Sequence, residues 1–223
     1  DLLEDPFDPG AGDLALGGQF LEAIRPFVWR RAVDYGTIRE IRDISRRIRD
    51  HYAQAQAFGP GYDLKRGRGG IREIEFFAQI HQLIHGGRDP ALRAPATRDA
   101  LAALAADGRI EAEDATALAA AYTEFRTVEH RLQMVDDLQT HTLPAKQEAL
   151  DNVAALHGLE HGAALIERLR PHVELVGSVY DALAGEEDPR LPGDRETLEA
   201  RLGEAGFDNP GGALRIVEGW RGG

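Results

Sequence analysis

Residues 62–87 constrain the fold more than any other stretch. Ile71, Ile74, Phe77, Ile80 and Ile84 recur at helical spacing, with Gly67, Gly69 and Gly70 just before them and Gly86 and Gly87 just after. The pattern predicts an amphipathic helix that starts at Ile71 and stops at a glycine C-cap. Lys65, Arg66 and Arg68 crowd the glycine-rich loop that feeds it. Unpaired N–H groups and the positive end of the helix dipole meet there, and both favour an anion. A small phosphate anion is therefore expected near the amides of Gly69, Gly70 and Ile71, with Lys65 or Arg68 closing on it.

The polar side of this helix adds a second constraint. At about 100° per residue, Arg72, Glu75, Gln79 and Gln82 fall in one narrow stripe. Glu73 lies instead in the arc of Phe76, Phe77, Ile80 and Ile84 and, if buried, needs a partner. Arg126, Glu129 and Gln133 repeat the order and spacing of Arg72, Glu75 and Gln79 on a later helix. The two stripes are expected to meet, with Arg72 near Glu129 or Arg126 near Glu75.

The rest of the chain reads as helices joined by short connections. Helical patterns run over 18–33, 37–55, 96–106, 111–138, 145–157, 161–184, 194–205 and 210–220. Pro26 should bend the first, and Pro171 should kink the helix over 161–184. Phe20, Ile24, Phe27 and Val28 mark the buried side of the first. Residues 1–13, rich in proline, glycine and acidic residues, read as a tail, and 185–193 as a linker. Alanine, leucine, arginine and glutamate dominate and β-branched runs are scarce, so the fold class is all-α, an antiparallel helical bundle. With 43% hydrophobic residues the chain can bury a real core. The expected domains are a bundle over 14–184 and a short helical pair over 194–223 that leads into a downstream region.

Several chemistries are disfavoured. A net charge of −12 argues against a nucleic-acid binder, and a local basic loop on an acidic body suits a small anion better than a polyanion. There is no cysteine, hence no thiolate nucleophile or thiolate metal site. His81 and His85, like His157 and His161, have i, i+4 spacing but no third ligand nearby, so they read as surface or packing histidines. The loop lacks the Gly-Lys-Ser/Thr ending of a Walker motif. No apolar run reaches membrane-spanning length and no signal peptide opens the chain, so a cytoplasmic location is the default expectation. The absence of an initiator Met and the abrupt end at Gly223 suggest a fragment.

The string Asp63, Leu64, Lys65, then Gly69, Gly70, Ile71, Arg72, Glu73, Ile74, Glu75, Phe76, then Gln79, Gln82 and Leu83 resembles the signature of the glutamine synthetase adenylyltransferase family. So do residues 25–31 with Asp34 and Tyr35, residues 88–93, and Tyr122, Phe125, Arg126, residues 129–133 and 139–144. The resemblance covers about 11–184. It implies a protein that adds AMP to a tyrosine of glutamine synthetase and removes it again, using Mg²⁺ and ATP, ADP or phosphate, under a PII-type nitrogen-signal protein. It also implies a catalytic sheet with paired acids after a Gly-Ser turn. No such turn and acid pair occurs here, so no catalytic residue is expected in this chain. Lys65, Arg68, Gly69, Gly70 and Arg72 are implied phosphate or nucleotide contacts, and Glu75, Gln79, Arg126, Glu129 and Gln133 supporting ones.

Arg72 and Glu73 stand as in the family's adenylyl-removing half, where the adding half has a valine and an aspartate. The expectation is a helical domain of the removing half, inactive alone. The alternative is a non-catalytic helical module that binds a protein partner.

Overall fold

The computed structural model describes residues 14–30, 40, 43, 44, 47, 57–136, 139–185, 195–204 and 209–221. These residues divide between two units, one within 1–185 and the other within 186–223. Among the described residues the regular structure is helical, apart from one isolated antiparallel bridge between Asp63 and Thr142.

In the first unit α1 spans Leu14–Val28, α2 Ile71–His85, α3 Thr97–Ala106, α4 Ala112–Asp136, α5 Gln147–Leu156 and α6 Gly162–Gly185. A 3-10 turn at Pro90–Leu92, opened by Asp89 accepting from Ala91 N, precedes α3. α2 begins at Ile71 and ends against Gly86, whose N–H donates to the Gln82 carbonyl. The periodicity and the flanking glycines thus mark both ends.

α4 is the hub. It packs on α2, α3, α5 and α6. Leu118, Ala121, Phe125, Val128 and Leu132 recur along it at helical spacing and are buried. α2 contributes Ile71, Ile74, Phe77 and Ala78 to the same core, and α6 contributes Leu165, Leu169, Val173 and Val176. Each of the Val, Leu, Ile and Phe side chains among them gains about 1.5–3 kcal/mol from leaving water. Gln82 is buried on the polar stripe of α2. Its side-chain amide donates at 2.8 Å to the carbonyls of both Leu92 and Ala94, which fixes the connection to α3.

Two expectations need correcting. The first helix begins at Leu14 rather than 18, and Phe27 is 72% exposed, with the Arg30 guanidinium over its ring. The apolar spacing of Phe20 and Phe27 shows a face, not a buried one. Trp29 is the aromatic of this segment that packs, against Gly86 and under the Arg93 guanidinium. The helix expected over 37–55 lies largely outside the described residues. Glu40, Asp43, Ile44 and Arg47 of it are helical. α1 and α6 run on through Pro26 and Pro171. The carbonyls these prolines leave unpaired belong to the exposed Glu22 and Glu167, where water can take them.

In the second unit α7 spans Arg195–Glu204 and α8 Pro210–Arg221. Leu198, Leu202 and Leu214 form its small core.

Candidate functional site

The basic loop is a braced structure. Asp63 forms the bridge with Thr142, and Leu64 N donates to the His141 carbonyl at 2.8 Å while Leu143 N donates to that of Tyr62. The loop base is thereby paired with the segment that leaves α4. Asp63 Oδ1 then accepts from Lys65 N at 3.0 Å and Arg66 N at 2.8 Å, an Asx turn that reverses the chain. Tyr62 lies under the loop, 2% exposed, and its hydroxyl donates to the Arg68 carbonyl. Burial pushes that phenol far above its ordinary range, so it stays a donor.

The far side of the loop is pressed on α6. Gly69 has φ +79°, and a Cβ there would collide with the Val173 carbonyl. Only glycine meets both demands. Arg68 continues along α6, over Gly177, to Asp181 Oδ2 at 2.5 Å.

The helix start is internally satisfied. Gly69 N donates to Glu73 Oε2 at 2.8 Å, Gly70 N to the Gly67 carbonyl, Ile71 N to that of Leu64 and Arg72 N to that of Lys65. Glu73 is 7% exposed and reaches back over the helix entrance, as in the second half of a capping box. The amides on which the sequence expectation seated an anion therefore already have acceptors. Each is a carbonyl or the carboxylate of Glu73.

A second buried carboxylate gathers an ammonium, a guanidinium and an imidazole. Glu129, 1% exposed in the middle of α4, lies 2.5 Å from Arg126 Nη1, 2.6 Å from His141 Nδ1 and 3.7 Å from Lys65 Nζ. Unpaired, this charge would be untenable there. The three partners come from three segments: the basic loop, α4 itself and the strand-like segment after α4.

The two polar stripes do come together, in a different way from the pairing expected. Tyr122, one turn before Arg126, donates to Glu75 Oε1 at 3.3 Å across the α2–α4 contact. Burial first, and then the Glu75 carboxylate, raise that phenol's pKa against an opposing Thr97 hydrogen bond. Arg126 turns along its own helix to Glu129 rather than across to Glu75. Arg72 and Gln133 are half-buried and Gln79 is exposed.

His141 and Asp181 are the contributors that sequence reasoning did not assign. His141 stood within a family-like string without a role, and nothing in the sequence around Asp181 marked it. Among the described residues no group of three or more His, Cys, Asp or Glu side chains could hold a metal ion. No helix among these residues is long and apolar enough to cross a membrane.

A protein-family model described as GlnD PII-uridylyltransferase matches residues 41–184. The bifunctional glutamine synthetase adenylyltransferase/adenylyl-removing enzyme of Agrobacterium fabrum is 42% identical over 227 residues, covering 96% of this chain and 23% of the relative. The protein of the same name from Caulobacter vibrioides is 43% identical, covering 94% of this chain and 22% of the relative. That from Mesorhizobium japonicum is 41% identical, covering 95% and 22%. The chain thus spans under a quarter of the length of these relatives. Likeness along nearly all of its residues, with the family match over its bundle, places the chain in the glutamine synthetase adenylyltransferase family, within the group that the GlnD PII-uridylyltransferase model describes.

Proposed function

We propose that this chain is the helical domain of the adenylyl-removing half of a bifunctional enzyme that reversibly adenylylates a tyrosine of glutamine synthetase. In that half the oxygen of inorganic phosphate attacks the adenylyl phosphorus. The bond from phosphorus to the tyrosine oxygen breaks, its electron pair stays on that oxygen, and ADP and free tyrosine leave. Lys65 and Arg72 neutralise charge beside the reacting phosphates, while Arg68, paired with Asp181, and the glycines Gly69 and Gly70 hold the loop that carries them in place. Positioning and charge neutralisation are what phosphoryl transfers mainly require of a protein.

The carrying observation is the bracing. A loop with Lys65 and Arg68 is held from both sides, on α4 through Glu129 and on α6 through Asp181. Fixed cations suit a site where charge develops, because they need no reorganisation during reaction. Mg²⁺ and the nucleotide belong to the intact cytoplasmic enzyme, held by acids outside this chain, and the chain alone is silent. Incubation with adenylylated glutamine synthetase, phosphate and Mg²⁺ should give background turnover only. In the intact protein Arg72→Val should depress deadenylylation more than adenylylation, because bringing phosphate beside an AMP phosphodiester sets anion against anion. Equal loss of both activities would place the domain in the other half.

A second reading has its own observation. Leu16, Phe20 and Phe27 of α1 share one side and are 64%, 59% and 72% exposed. Exposed apolar groups in a row suit a protein partner, here a PII-type nitrogen-signal protein. Phe20→Ser with Phe27→Ser in the intact protein should then abolish the response to that signal while leaving basal deadenylylation intact. An unchanged response would remove this reading.

A further inference from the structure

The cluster on Glu129 holds more positive charge than its carboxylate needs. Glu129 is 1% exposed, whereas the side chains of Lys65, Arg126 and His141 keep 28%, 24% and 23% of their surface open. One cation would balance one carboxylate. Here an ammonium, a guanidinium and an imidazole share it. The ammonium lies 3.7 Å from the carboxylate, and Arg126 Nε is buried without a hydrogen-bond partner, as are Glu129 Oε1 and His141 Nδ1. The buried Nε is not what a ligand would meet; the exposed quarter of the Lys65, Arg126 and His141 side chains leaves donor capacity open above a carboxylate that anchors them from beneath. Glu75, held by Tyr122 one turn away on α4, is the acidic group that opposes this surplus.

We propose that Lys65, Arg126 and His141, set in place by Glu129, form an oxyanion seat that takes the tetrahedral phosphate of inorganic phosphate or of a phosphate monoester. The seat lies beside the helix start rather than on it, because the amides of Gly69, Gly70, Ile71 and Arg72 already have acceptors. Lys65 is a loop cation that reaches Glu129, whereas Arg68 is turned toward Asp181. Arg126 and His141 become ligands, and Glu129 a positioning residue that touches no phosphate. Naming phosphate rests on the phosphorolytic reading above. The surplus of donors does not.

The test is a titration of the chain followed by NMR at backbone and side-chain nitrogens, with inorganic phosphate in one arm and AMP in the other. Saturable shifts are expected at Lys65, Arg126 and His141. Lys65→Met should weaken phosphate about tenfold, the loss of one charge-assisted hydrogen bond. Lys65→Arg should restore most of the affinity, and Glu75→Gln should tighten it. Arg168→Met removes a guanidinium that pairs with Glu124 elsewhere, and should change nothing. Thermal melts of Lys65→Met and Lys65→Arg should overlay, which separates lost binding from lost fold. AMP competing for the same resonances identifies a monoester as occupant, and inorganic phosphate binding alone identifies the free nucleophile. No saturable shift at these three residues in millimolar phosphate, or shifts confined to the amides of 69–71, overturns the seat. Normal phosphate binding alongside equal loss of both activities in Arg72→Val would overturn the half assignment and leave the seat standing.

Discussion

Two buried carboxylates brace the same loop by different physics. Glu73, at the start of α2, is 7% exposed and accepts from an amide four residues back in sequence. Glu129, midway along α4, is 1% exposed and draws nitrogen groups from 65, 126 and 141. The first arrangement is local. It uses a backbone N–H and the favourable end of the helix dipole, and it forms whenever the helix forms. The second exists only when the loop, α4 and the segment after α4 have come together. Glu73 therefore shapes one helix entrance, whereas Glu129 reports on the whole assembly.

The comparison is most open to attack at Glu129. Glu129→Leu leaves Lys65, Arg126 and His141 facing one another without their carboxylate. Removing one partner of a buried ionic group costs about 3–5 kcal/mol. Urea denaturation of the variant should show a loss of that order. A loss under about 1 kcal/mol would mean that the cluster is effectively solvated.

Glu73→Ala should cost less, about 1–3 kcal/mol, the usual penalty of an unsatisfied buried donor. Glu73→Gln keeps an acceptor oxygen within reach of Gly69 N and should recover part of it. Hydrogen exchange at the Gly69 amide is the sharper readout. Exchange should quicken in Glu73→Ala while that of core amides in α4, such as Phe125, stays slow. Uniform quickening would show that Glu73 carries global rather than local stability.

This contrast also separates what the sequence could reveal from what it could not. The start of α2 at Ile71 and its end at Gly86 follow from apolar period and glycine placement, both local signals. The same holds for α3 through α6, each of which lies within two residues of its expected bounds at both ends. Glu73's need for a partner could be foreseen from its place in the apolar arc. That the partner would be Gly69 N could not, because the glycine loop offered the same amide to an outside anion. Glu129 stood in a polar stripe whose mate was expected on α2. Its actual partners depend on the pairing of Leu64 with His141, a contact between residues far apart in the chain that no periodicity encodes. Phe27 shows the converse limit: spacing gives an apolar face, and only packing decides whether that face is covered.

A half-exposed carboxylate on α6 that also anchors the loop sharpens the comparison at lower energy. Asp181 pairs with Arg68 at 2.5 Å, but both side chains are nearly half exposed, at 42% and 46%. Such pairs contribute about 0–1 kcal/mol. Asp181→Ala should fall in that range, and the difference should shrink further in about 1 M salt, where the Debye length is near 3 Å. The Glu129→Leu difference should survive the same salt. Equal salt sensitivity of the two variants would erase the distinction between buried and surface anchoring of the loop.

Asp151 provides the surface counterpart of Glu73, and with it the smallest expected effect. Its Oδ1 accepts from Gly162 N, the first amide of α6, at 2.6 Å. That hydrogen bond, and after it one from the Gln147 side chain, lower the carboxyl below its ordinary value of 3.8. A carboxyl with a lowered folded pKa stabilises the fold fully above its unfolded pKa, and the contribution is lost as pH falls through the folded value. Stability should therefore decline on acidification below about pH 4, with Asp151 contributing to the slope. Asp151→Asn keeps an acceptor for Gly162 N but cannot titrate, so its stability-versus-pH curve should be flatter than the parent's in that window and parallel to it above. A parallel curve throughout would mean that the amide of Gly162 does not discriminate the charged carboxylate from the neutral one. Capping at the surface would then differ in kind, and not merely in degree, from the capping that Glu73 performs in the core.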